Sequence, residues 1–193
     1  PSRDAPRVAI DTPSLRGSIS LAGGRIDDLL LTGYRETLDP ASPFVRLLSP
    51  TAQLRVTQEG TAAAPATEPE VVLQKPYYAV YGWTPGPGVD PALVPGPATV
   101  WTLESGQTLA PGQPVTLAWD NGAGQTFRRT FSVDENYLFT VSHALQNNGD
   151  AAFTAAPYGI IARHGRPDTQ NFFVLHEGAV GMNDGKLLEL KYD

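Results

Sequence analysis

The sequence predicts an all-β fold, and three observations carry the prediction. Apolar residues recur at every second position in several segments, the period of a strand with one buried face. No segment sustains the 3.6-residue period of an amphipathic helix. Glycine and proline, 19 and 18 of 193 residues, punctuate the chain, while charged residues make up 18%. That charged share lies below the usual ~25% and fits many turns and few charged helices.

The first clear strand covers residues 15–21, where Leu15, Ile19 and Leu21 alternate with Arg16, Ser18 and Ser20. Gly23-Gly24 marks a tight turn, and residues 26–31 return as the second half of a hairpin. Residues 34–43, with Pro40 and Pro43, read as loop. Residues 44–48 and 53–57 read as short strands. Residues 60–70 are an Ala/Pro/Thr/Glu stretch with nothing to bury, expected to form a surface loop. β-branched and aromatic residues resume over 71–83, and a Pro/Gly-rich loop is expected over 84–97.

The second half alternates most strictly. Val115, Leu117 and Trp119 share one face; an Asp120-Asn121-Gly122-Ala123-Gly124 turn follows, with Asn-Gly suited to positive φ. Phe127, Phe131 and Val133 then alternate with Thr126, Arg128, Thr130 and Ser132. Tyr137, Phe139, Val141, His143 and Leu145 repeat the pattern, and residues 151–163 are expected to run back beside them in an antiparallel meander. Strands of eight or nine residues reach roughly 30 Å, which suits a large sandwich better than a small barrel. Residues 172–176, 179–182 and 186–192 are the last expected strands.

Composition excludes several functions. The net charge is −6 and no basic run exists, so the clustered cations that neutralise nucleic-acid phosphates are missing. With no cysteine there is no thiolate catalysis, Cys-ligated metal or disulfide. No stretch approaches the ~20 apolar residues that span a bilayer. Residues 1–7 are polar and do not read as a signal peptide, so an excised piece is expected. The three histidines, His143, His164 and His176, lack the close spacing of metal ligands, and neither a metal nor a cofactor is expected. His143 falls on an apolar strand face, where a partly buried ring with one hydrogen bond is expected. Asp27-Asp28, Asp120 and Asp134-Glu135 are expected at turns, bonding backbone N–H groups. Arg129 shares a face with Phe127 and Phe131. Its stem is expected on aromatics with its head on a carboxylate or carbonyl, the competing reading being an anion contact. Tyr77, Tyr78, Tyr81, Trp83 and Trp101 flank the Pro/Gly loop; they either line a groove for an extended or apolar ligand or are half-buried strand residues.

Several blocks in consistent order carry a family resemblance. Trp119-Asp120-Asn121-Gly122 followed by Thr126-Phe127-Arg128-Arg129-Thr130-Phe131-Ser132-Val133-Asp134 is one. Pro157-Tyr158-Gly159-Ile160-Ile161-Ala162-Arg163-His164-Gly165 is a second, and Leu175-His176-Glu177-Gly178-Ala179-Val180-Gly181 a third. Gly23-Gly24-Arg25-Ile26 and Val45-Arg46-Leu47-Leu48-Ser49-Pro50 agree more loosely. These blocks resemble the large periplasmic domain of YidC-type bacterial membrane protein insertases, especially the alphaproteobacterial forms. The resemblance implies an antiparallel β-supersandwich, galactose-mutarotase-like, forming a single periplasmic domain over residues 1–193. In the family the domain continues past the position of Asp193, so a C-terminally truncated fragment is expected. The resemblance further implies a multi-pass inner-membrane protein that inserts and folds membrane proteins with the Sec translocon, this domain meeting the SecDF accessory complex or sheltering nascent membrane proteins. It implies no enzyme. The alternative is a carbohydrate-binding or mutarotase-like protein of the same fold, with His164, His176 and Glu177 facing a sugar and Tyr158 and Arg163 nearby.

Overall fold

Frequent chain reversals keep the extended segments short. The computed structural model describes residues 5–50, 53–57, 70–74, 76–165 and 176–192. Fifteen strands lie among them. In order they are β1 (Arg7–Asp11), β2 (Leu15–Ser20), β3 (Arg25–Arg35), β4 (Phe44–Leu48), β5 (Gln53–Thr57), β6 (Glu70–Gln74) and β7 (Tyr77–Pro85). There follow β8 (Thr102–Ser105), β9 (Thr108–Leu109), β10 (Val115–Asp120), β11 (Gln125–Val133), β12 (Phe139–Asn147), β13 (Ala155–Arg163), β14 (Gly178–Asn183) and β15 (Lys186–Lys191). One 3-10 turn, Pro91–Leu93, sits in the Pro/Gly loop, its start held by the Asp90 carboxylate accepting from the Ala92 N–H.

The fold is all-β, as the alternation predicts. A seven-stranded sheet runs β13-β7-β3-β2-β1-β9, with β4 also paired to β3, and a four-stranded sheet runs β12-β11-β10-β8. Two hairpins, β5–β6 and β14–β15, form sheets of their own. The inner faces of the two larger sheets share one core. Val8, Ile10, Leu15, Ile19, Ile26, Leu29, Ala79 and Trp83 come from one, and Val115, Leu117, Phe127, Phe131 and Val133 from the other. Fully burying each large side chain contributes about 1.5–3 kcal/mol. In β11 burial alternates at every residue, so the register is pinned: a one-residue slip would expose both phenylalanines and Arg129.

The structure departs from the sequence reading in several places, each with a local cause. β1, β8 and β9 were not expected, being short and only partly apolar. β1 pairs in parallel with β9, so the large sheet is mixed, not wholly antiparallel. β3 extends to Arg35, into residues expected as loop, because β4 supplies a partner as far as Arg35↔Phe44. Asp27 and Asp28 lie within β3, not at a turn. A bulge opposite Ser18/Ile19 inserts Asp27 as an extra residue and lets Ile26 and Leu29 both face the core. Tyr137 is outside β12, with φ 72° in the preceding turn.

The largest departure concerns β13. It does not extend the β10–β11–β12 meander but crosses to the other sheet and pairs with β7 from Ala155↔Pro85 to Arg163↔Tyr77. Phe153 packs edge-on against Phe127 at 6.0 Å, and the Gly86 N–H donates to the Thr154 carbonyl at 2.8 Å. An apolar anchor midway along the connection thus carries the chain from one sheet to the other. Asp120 and Asp134 do cap turns: Asp120 accepts from the Gly122 N–H, and Asp134 from those of Asn136 and Leu138. The expected loop over 60–70 falls almost wholly outside the described residues, as does most of the strand expected over 172–176.

Phe127 is fully buried and meets Trp83, Trp119 and Phe153. Phe127→Ala is expected to cost about 3–5 kcal/mol in urea-unfolding free energy, the range for emptying an aromatic core site. A loss below 1 kcal/mol would show that the seam between the sheets collapses around the gap.

Candidate functional site

The most unusual side chain is Arg129, which is fully buried in β11. Alternation drives it inward between Phe127 and Phe131, so its charge must be satisfied inside. Nη1 donates to the carbonyls of Gly23 at 3.0 Å and Gly24 at 2.6 Å, and Nη2 donates to Tyr81 at 2.9 Å. The guanidinium also lies over the Trp101 ring at 4.6 Å and the Tyr81 ring at 5.6 Å. Carbonyls and rings replace a carboxylate, and burial lowers its pKa to about 10. The carbonyl contact was expected, but the whole head is interior and the aromatics lie against it, not merely its stem.

The chain bends to make this possible. Gly23 and Gly24 both have positive φ, which glycine adopts at no steric cost. A Cβ on Gly24 would stand 2.6 Å from Arg129 Nη1 and 3.2 Å from Trp101. The Gly23 N–H donates to Thr99 and the Trp101 N–H to Leu21, seating Trp101 beneath the cation.

His143 is the cross-strand partner of Arg129. It packs on Trp83 at 5.7 Å and Tyr81 at 6.1 Å. Its Nδ1 is buried with no hydrogen-bond partner. Desolvation first, then the neighbouring Arg129, lowers its pKa to about 4. Burial also raises the pKa of Tyr81.

On the other face of the large sheet lies a cavity of about 420 Å³, lined by Arg25, Asp27, Tyr78, Val80, Tyr158 and His164 together with Gly23, Tyr81 and three prolines, Pro50, Pro76 and Pro97. The Tyr78 hydroxyl and His164 Nε2 are 3.1 Å apart. The Tyr158 ring lies across Gly82, where any Cβ would collide with it. At the back, Asp27 is nearly buried between Arg7 and Arg25, with Arg25 Nε 3.1 Å from its carboxylate. Asp28 pairs with Arg46 at 2.6 Å and accepts from the Ser18 hydroxyl at 3.0 Å. The sequence reading missed this ion-pair group because it took both aspartates as turn residues; the arginines at 7, 25 and 46 were the available signal.

The sequence-nominated residues separate. Tyr158 and His164 meet in this cavity. Arg163 points the other way, over Tyr77 at 5.2 Å, since adjacent strand residues face opposite sides. His176 and Glu177 precede β14 and line neither this cavity nor the smaller one described next; His176 Nε2 is buried without a hydrogen-bond partner. Of the aromatics, Trp101 and Trp83 belong to the core, 1% and 7% exposed, which corrects their place in a groove. Tyr77 and Tyr81, with Leu47, Leu48 and Phe139, line the smaller apolar cavity of about 270 Å³. Among the described residues no group of three or more His, Cys, Asp or Glu side chains is placed to hold a metal.

Fold and site together define a class: a two-sheet β module whose most buried charge braces its structure. The family model described as the YidC periplasmic domain matches residues 7–72 and 62–193. The chain belongs to the YidC periplasmic domain family. It is 72% identical over 192 residues to a Paracoccus denitrificans protein named membrane protein insertase YidC, covering 100% of this chain and 30% of that protein. Relatives of the same name from Ruegeria pomeroyi and Dinoroseobacter shibae are 51% and 52% identical, covering 98% and 100% of this chain and 29% and 28% of theirs. The chain therefore spans under a third of the length of these relatives. No helix among the described residues is long and apolar enough to cross a membrane.

Two measurements test the seam. Arg129→Met leaves the carbonyls of Gly23, Gly24 and Tyr81 without their donors and is expected to cost on the order of 3 kcal/mol or more; an unchanged unfolding midpoint would show that Arg129 does not brace the sheets. His143 supplies the pH dependence. Unfolded, its ring takes a proton near pH 6.5; folded, only near 4. Stability is complete above about pH 6.5 and falls as the pH drops towards 4, because the unfolded chain binds the proton first. His143→Leu should flatten the decline between pH 7 and 4.5 in urea titrations, and a slope identical to the parent's would assign it to other groups.

Proposed function

We propose that this chain is the periplasmic module of an insertase that inserts and folds inner-membrane proteins, and that it docks partners or shelters apolar segments near the Sec translocon exit. The match to the YidC periplasmic domain family across residues 7–193 carries this reading. Relatives named membrane protein insertase support it. The accessory complex SecDF is the partner of choice, with nascent membrane proteins as clients of the full-length protein. Exposed apolar side chains on β13 and on the β14–β15 hairpin, among them Ile160, Ile161, Val180, Met182 and Leu187, supply the kind of surface that docking uses. The role is non-enzymatic. His164 is engaged with Tyr78, and the one carboxylate lining the same cavity, Asp27, is held by two arginines, so neither is poised as a general acid or base for a sugar.

A photo-crosslinking residue at Ile160 or Val180 of the intact membrane protein, irradiated in cells, is expected to capture SecD or SecF. Recovery of no Sec component from either position, with insertion activity retained, would remove the docking role from this surface.

A further inference from the structure

The cavity on the outer face of the large sheet has a charge balance unlike that of the chain. The molecule carries −6 overall. Around this cavity, however, stand three arginines and a single carboxylate. Arg25 and Asp27 line it, Arg7 pairs with Asp27 behind, and Arg129 bonds the carbonyls of the lining residues Gly23 and Tyr81. Asp28 cannot offset the excess, because Arg46 already neutralises it. A fixed positive excess in a low-dielectric recess attracts an anion more strongly than surface charge in water does.

The remaining lining narrows the chemistry. His164, Tyr78 and Tyr158 bring an imidazole and two hydroxyls to the same lining as Arg25, to which the tyrosine rings, Val80 and the three prolines add apolar surface. No Lys lines the cavity, and one arginine there is too little for a phosphate cluster. A neutral sugar would leave the positive excess unused. A cavity of about 420 Å³ lies within the ordinary range for small-ligand sites, apolar walls with a few convergent polar groups being the usual pattern.

We propose that this cavity binds a carboxylate attached to a ring or apolar group, the carboxylate meeting Arg25, His164 and the tyrosine hydroxyls, and the apolar part lying on the tyrosine and proline walls. A peptide's C-terminal carboxylate, an acidic side chain within a peptide and a free small acid share this chemistry. The proposal goes beyond the docking reading and does not depend on it: the cavity and its lining are the same whichever protein meets the outer surface.

The test titrates the full chain, isotope-labelled for NMR, with N-acetyl-tyrosine, N-acetyl-tyrosinamide and an amidated tripeptide containing an internal glutamate next to tyrosine. N-acetyl-tyrosine is expected to shift resonances of residues 23–27, 78–81 and 158–164 and to bind about tenfold or more tightly than its amide, since charge-assisted bonds to the carboxylate are lost in the amide. Binding should weaken as salt is raised. Tighter binding of the tripeptide would assign the carboxylate to an acidic side chain, and tighter binding of the free acid to a chain terminus or small acid. His164→Gln and Tyr158→Phe are each expected to weaken binding several-fold with the unfolding midpoint unchanged; Arg25→Gln should abolish it, read only if that variant folds. Equal binding of acid and amide, shifts confined to other surfaces, or no shifts at millimolar ligand would overturn the proposal, as would variants that bind like the parent.

Discussion

One guanidinium joins the two halves of this molecule. Arg129 projects from the smaller sheet and bonds the turn between β2 and β3 and the backbone of β7, all in the larger one. A buried cation without a carboxylate is costly to desolvate, and it persists only where surrounding dipoles are fixed in place. Here two glycines at positive φ aim their carbonyls inward, Tyr81 adds a third, and Trp101 and Tyr81 present ring faces. Each of these features makes sense only in the presence of the others. The glycines leave room for the guanidinium, and the guanidinium gives their carbonyls a donor.

The same brace shapes both sides of the large sheet. Inward, burial first and then its charge lower the pKa of His143. Outward, Gly23 and Tyr81 carry its influence to the cavity where Tyr78, Tyr158 and His164 converge. Beside it, the bulge at Asp27 serves two ends. It turns Ile26 and Leu29 into the core together, and it buries a carboxylate among arginines at the back of the cavity. Core geometry and cavity chemistry therefore share a backbone irregularity, and a change at either Gly24 or Asp27 would be felt on both faces.

Family membership gives this architecture its biological setting. The relatives carry the name membrane protein insertase YidC, and the chain spans 28–30% of the length of three of them. Exposed apolar side chains stand on β13 and on the β14–β15 hairpin. His164 stands beside Tyr78 in the cavity, while His176 and Glu177 precede β14 and line neither cavity.

By itself the sequence determined the β class, most strand positions and the inward set of β10 and β11, because alternation and turn residues act over a few neighbours. It also determined the ordered blocks that mark the family. Tertiary structure alone decided which strands pair. β13 follows β12 in the chain with a turn between them, yet Phe153 docks on Phe127 and delivers the strand to β7. No local pattern encodes that choice, since a strand edge accepts any partner and distant packing selects among them. The same holds for the site. Arg129 could be placed on an apolar face from its spacing, but its acceptors lie 48 to 106 residues away. The burial of Trp83 and Trp101 and the ion pairs of Asp27 likewise depend on what the other sheet and neighbouring strands place beside them.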